Sequence, residues 1–132
     1  MCPKVKLPPA KGPYSLWVKA GGYIYVSGQG PIDPESGEAF LGDIEEQTRI
    51  TLNNVKAILE DAGATLADVI KTTVFLADIG DFARMNKVYG SFFGGVKPAR
   101  STVQAAALPL GIGVEIEAVA VDRGAVKEVV RS

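Results

Sequence analysis

Three charged side chains stand in segments otherwise suited to burial. Arg100 follows the turn Lys97-Pro98-Ala99, and Glu115 and Glu117 interrupt the apolar run Val114–Val121. A guanidinium is a planar fork that can grip a carboxylate through two parallel hydrogen bonds. A glutamate on a neighbouring strand can then orient a water and take its proton. The same three residues also suit a plainer arrangement, an intramolecular ion pair or exposed edge charges, and their spacing leaves both readings open. In a strand, Arg100, Thr102 and Gln104 point one way, as do Glu115, Glu117, Val119 and Val121.

Other residues carry weaker chemistry. Tyr14, after Gly12-Pro13, projects a phenol into a cleft or sits buried as an ordinary core tyrosine. The stretch Ser27-Gly28-Gln29-Gly30-Pro31 offers a hydroxyl, an amide and glycine backbone whose N–H groups can cradle an anion or polarise a carbonyl. It lacks the spacing of a nucleotide fingerprint, and no helix is expected to begin there. Asn86 reads as a solvent-facing residue in the middle of a helix. Lys71 reads as a snorkelling or edge lysine rather than a Schiff-base former.

Composition narrows the chemistry further. The chain has no histidine, which removes Ser-His-Asp and Cys-His arrangements, histidine-ligated metals and the commonest general base. Its single cysteine, Cys2, supports neither a disulfide framework nor a thiolate cluster. No Asp/Glu group has the spacing of a metal site, so no metal is expected. Fourteen Lys and Arg against 15 Asp and Glu give a net charge of -1, with no basic block to draw in nucleic acid. No segment reaches the length of a membrane span and no leader is recognisable, so the expected compartment is the cytoplasm. The 132 residues fit a single domain, 1–132, able to bury a core.

The elements that must hold these residues follow from turn signals and periodicity. Pro3, Pro8, Pro9 and Pro13 mark an extended lead-in. Two strands meet at the hairpin turn Gly21-Gly22, and Asp33, Pro34, Ser36 and Gly37 mark a loop after them. Asp43 with Glu46 predicts a capped helix with Ile44, Thr48, Leu52, Val55, Ile58, Leu59 and Ala62 on one face, ending at Gly63. The β-branched run Asp68–Ala77 is a strand. A second helix starts near Asp81, with Phe82, Met85, Tyr89, Phe92 and Phe93 on one face, and closes at Gly94-Gly95. Strands at roughly Ser101–Ala106 and Val114–Asp122 complete an α+β order, ββαβαββ, in a mixed sheet with both helices on one face. The strands are apolar on both faces, yet helices cover only one. Another copy of the chain is the expected cover, making the protein an obligate homo-oligomer.

Taken together, "GPYS", "SGQ", "VIKTTVFL", "PARS" and "VEIEA", in this order from about Gly12 to Val121, resemble the RidA/YjgF family of reactive-intermediate deaminases. The resemblance implies a chorismate-mutase-like fold and a homotrimer with clefts between subunits. It also implies hydrolysis of enamine and imine acids (2-aminoacrylate/2-iminopropanoate and 2-iminobutanoate) to the 2-keto acid and ammonia, without a cofactor. By this resemblance Arg100 binds the substrate carboxylate and Glu115 positions the attacking water. Tyr14 stands at the cleft mouth, Ser27 and Gly28 in the "SGQ" motif, and Asn86 near the cleft.

Two departures touch the site. Thr102 stands where many relatives have cysteine, which speaks against a thiol mechanism but leaves a backbone N–H for an anion. Gly30 replaces a branched apolar residue, which would widen the cleft or loosen its wall. Glu117 acquires no role. The competing reading is a trimeric metabolite-binding or chaperone-like protein, or an RNA-acting translation inhibitor.

Overall fold

A computed structural model describes residues 6–132; Cys2 and Pro3 lie outside them. The two opening strands, β1 (Trp17–Ala20) and β2 (Tyr23–Gln29), form the expected hairpin. Gly21 and Gly22 turn it with φ of 60° and 88°, a backbone region that glycine alone enters freely. Helix α1 spans Ile44–Asp61, and the Asp43 carboxylate accepts from the N–H groups of Glu45 and Glu46 at its start. Its end has Gly63 at φ 87°, the left-handed position expected for that glycine.

Strand β3 (Val69–Leu76), helix α2 (Phe82–Phe93), β4 (Ala99–Gln104) and β5 (Val114–Val121) follow. The element order is therefore the one the sequence predicts, with β4 starting two residues earlier than expected. That shift puts Arg100 inside the strand rather than ahead of it.

The sheet runs β1-β2-β5-β3-β4, antiparallel except for the parallel pair β3 and β4. Both helices lie on one face. Ile24, Val26, Val74, Leu76, Val114, Ile116 and Ala118 from the sheet meet Leu52, Val55, Ile58, Leu59 and Met85 from the helices in one buried core. Burying each such side chain stabilises the fold by roughly 1.5–3 kcal/mol before entropy is counted. Thr48 and Thr51 sit fully buried in α1 and return their hydroxyls to the carbonyls of Ile44 and Gln47, both at 2.8 Å.

The opposite face carries no helix. Tyr23, Tyr25, Val18 and Val103 are exposed there, as the two-sided apolar patterning of the strands requires. Lys71 also stands on this face and donates to Ser101 Oγ at 3.3 Å; its strand, β3, is interior to the sheet, so it is not the edge lysine the sequence suggests. Among the described residues no helix is long and apolar enough to cross a membrane.

Candidate active site

Register assigns each candidate to a face. Arg100 pairs with Thr72 and Thr102 with Val74, both buried beneath the helices, so Arg100 and Thr102 point toward α2. Glu115 pairs with Phe75 and Glu117 with Thr73, on the open face. Strand β3 separates β4 from β5, so arginine and glutamate are not on neighbouring strands as the sequence reading supposed. Within one chain they occupy opposite faces of the sheet.

On the helix side, the Arg100 guanidinium carbon lies 4.7 Å from the Tyr89 ring centroid and 5.5 Å from that of Phe82. Among the described residues no carboxylate comes within salt-bridge distance of it. The intramolecular ion-pair reading therefore fails for Arg100. A cavity of about 310 Å³ opens beside it, lined by Asn86, Tyr89, Phe93, Lys97 and Arg100. Asn86 Oδ1 and Thr102 Oγ1 are buried without a hydrogen-bond partner. Asn86 is thus not the solvent-facing residue that its mid-helix position suggests; it turns its carbonyl oxygen inward. Both unpaired atoms belong to residues on the Arg100 side of the sheet, and such unsatisfied buried polar atoms are uncommon.

On the open face a second cavity, of about 320 Å³, gathers Tyr14, Ser27, Gly28 and Glu115 against Gly30, Ile112 and Leu110. The register of β2 against β5 slips between Val26 and Gln29, so one extra residue of β2 bulges beside β5. The bulge presents Gly28 to Glu115 so closely that a Cβ at residue 28 would stand 2.5 Å from the Glu115 carboxylate. Burial, and then the like charge of Glu117, push the Glu115 carboxyl above its ordinary value. Ser27 donates its hydroxyl to the Ser15 carbonyl at 2.6 Å. Tyr14 is 44% exposed, not buried as a core tyrosine would be, and its phenol accepts from the Lys11 N–H at 2.9 Å.

Gly30 does not widen this cavity. The Ile112 Cδ1 methyl occupies the space beside it, 2.7 Å from where a Cβ would stand, so a neighbouring side chain takes the missing volume. Leu110, at the rim, holds a left-handed backbone with φ 63°, uncommon for a branched residue. Sequence reading missed the support behind the bulge. Asn54, buried in α1, donates to the carbonyls of Gly30 at 3.2 Å and Ile32 at 2.8 Å. Its signal was a polar residue at a helix position flanked by core residues. No group of three or more potential metal ligands occurs among the described residues.

The family model for endoribonuclease L-PSP matches residues 5–122. The chain belongs to this family, the RidA/YjgF group. A RutC family protein of Pyrococcus abyssi is 54% identical over 115 residues, covering 87% of this chain and 91% of that protein. A 2-iminobutanoate/2-iminopropanoate deaminase of mouse is 47% identical over 116 residues, covering 88% of this chain and 86% of the relative. The crystal structure of the E. coli YjgF gene product superposes with a TM-score of 0.84 at 46% identity, covering 89% and 94% of the two chains. Family members of this group thus include named imine deaminases, and the two-helix, five-strand fold is the one they share.

Proposed function

We propose that this RidA/YjgF member is a cytoplasmic deaminase that hydrolyses short 2-imino acids, such as 2-iminopropanoate and 2-iminobutanoate, to 2-keto acids and ammonia. The observation that carries the reading is the division of the site. An arginine that no carboxylate of the described residues pairs lies on one face, and a glutamate with a raised pKa lies on the other. Two copies of the chain, each offering one half, would complete a cleft. The exposed apolar face of the sheet supports assembly as a homotrimer with such clefts between subunits, and the deaminases among relatives support the reaction.

In this mechanism Arg100 of one subunit grips the substrate carboxylate bidentately and fixes the α-carbon. The imine carbon is already electrophilic, so the protein has only to deliver water. Glu115 accepts a hydrogen bond from the water and takes its proton as the C–O bond forms. On the iminium form of the substrate this addition gives a carbinolamine. Glu115 passes the proton to its amine nitrogen, and the carbinolamine's O–H proton returns to Glu115 as the C–N bond breaks, so that ammonia leaves and the carbonyl forms. Ser27, Gly28 and Tyr14 wall the water side; Asn86 and Thr102 stand with Arg100 on the carboxylate side.

The test supplies 2-iminobutanoate freshly from a threonine dehydratase and follows 2-oxobutanoate. Wild-type protein is expected to accelerate its formation, and Arg100→Ala to lose the acceleration. Loss of one partner of a desolvated charge pair costs roughly 2–5 kcal/mol. Equal rates for the two proteins would overturn the reading. Salt-sensitive RNA binding without deamination would instead favour the activity in the family's name.

A further inference from the structure

If Arg100 is to hold a carboxylate, something must hold Arg100. No carboxylate of the described residues does so. The contacts it does make are with two rings on α2, seven residues and therefore two turns apart on one helix face. Phe82 is 40% exposed, an unusual place for phenylalanine near a helix start, and Arg100 is the group it meets.

Tyr89 is itself fixed from two sides. Its hydroxyl shares a 2.6 Å hydrogen bond with the buried Thr72, and its ring lies 4.7 Å from Phe93. Thr72 is also the residue that pairs with Arg100 across the parallel ladder of β3 and β4. The helix and the two strands are therefore tied together at the root of the arginine. A ring stacked on the face of a guanidinium leaves its in-plane N–H edges free. Those edges are what a carboxylate needs.

We propose that Phe82 and Tyr89, with Tyr89 braced by Thr72, are positioning residues that form an aromatic platform for the Arg100 guanidinium and set its carboxylate-binding pose. The proposal rests on the reading of Arg100 as the carboxylate clamp and adds residues to it. A tyrosine buried only to fill the core would also bond its hydroxyl, but it would need no second ring two turns away on the same guanidinium.

The experiment measures calorimetric binding of 2-oxobutanoate, with kcat and KM in the coupled assay, for full-length variants. Phe82→Leu and Tyr89→Leu are each expected to weaken binding and raise KM about three- to tenfold, with kcat changed less than about twofold. Tyr89→Phe keeps the ring and should retain most of the affinity. Thr72→Val should match it, and the two together should be no worse than either alone. In an Arg100→Ala background the ring variants should change residual binding by less than about twofold, because they act through the arginine.

Wild-type binding by folded Phe82→Leu and Tyr89→Leu, while Arg100→Ala binds weakly, overturns the platform alone. So does an equal loss with and without Arg100. Wild-type binding by Arg100→Ala overturns the clamp and the platform together. Phe82 is exposed enough that its variant is expected to fold and to decide the matter even if Tyr89→Leu does not.

Discussion

The carboxylate of Glu115 lies against the backbone of Gly28, where a Cβ would come within 2.5 Å of Oε2 and 3.0 Å of Cδ. The bulge in β2 creates that approach, and only a residue without a side chain permits it. Gly28→Ala must therefore swing Glu115 aside. Because Glu115 can move toward the open face, the variant is expected to fold with a melting temperature within about 4 °C of wild type, a change on the order of 1 kcal/mol. Its kcat should fall at least about tenfold, as misplacement of a reacting group predicts. Steady-state kinetics beside a thermal melt checks this; unchanged kcat would show that Glu115 need not sit there.

Glu115 should leave its signature in pH dependence. Its folded-state pKa is raised by burial first and by Glu117 second. If the ionised form handles water, activity falls with acid around a midpoint above the ordinary carboxylate range, and Glu117→Gln moves that midpoint down. Stability runs the other way. A carboxyl with a raised folded pKa stabilises the fold fully below its unfolded pKa, and that contribution is lost as pH rises through the folded value. Glu115→Gln should therefore melt higher than wild type at neutral pH, by a margin that solvent screening at this partly exposed site keeps small. The gap should close as wild-type Glu115 becomes protonated, and a gap that widens in acid would contradict the assignment.

A cleft assembled from two chains can be rebuilt from two defective ones. Arg100→Ala and Glu115→Gln should each be inactive alone. Co-refolded together, they should recover about a quarter of wild-type activity, since one cleft in four pairs the intact arginine of one chain with the intact glutamate of its neighbour. Activity of the mixture at the level of the separate variants would place both residues outside a shared intersubunit site.

Asn54 is the structural counterpart of these tests. Its amide satisfies two backbone carbonyls in the segment after β2 and is 3% exposed. Asn54→Ala should cost about 1–3 kcal/mol by leaving them without that donor. Denaturant unfolding measures the loss. Activity should fall too, because Gly28 and Gly30 belong to the stretch that Asn54 anchors.

The order of elements was readable because each boundary has a local cause: a glycine pair, an aspartate cap, a β-branched run. The partition of the site was not. Alternation treats Glu115 and Glu117 as equals on one face, and it does place them there. What separates them is the bulge at β2, which no residue pattern announced and which brings Gly28 to Glu115 alone. Arg100 and Glu115 seemed neighbours because their strands follow one another in the chain. The sheet instead seats β3 between them, a consequence of pairing that local sequence does not encode. Asn86 and Gly30 failed for a related reason: one turns inward, and the other is filled by Ile112, from far along the chain.

The position of β5 has a consequence for how the molecule is made. It is the last strand in the chain and the middle one in the sheet, joining Tyr23 to Val121 and Val69 to Ala120. Until it arrives, β2 and β3 share no edge, and the hairpin at one end and the parallel pair at the other remain separate pieces. Closing contacts between residues nearly a hundred positions apart is slow, because the loop entropy precedes the gain. During synthesis the emerging chain therefore carries two incomplete sheet fragments with open edges, and the strand that joins them is the one that brings Glu115. Completion of the fold and delivery of the glutamate are one event.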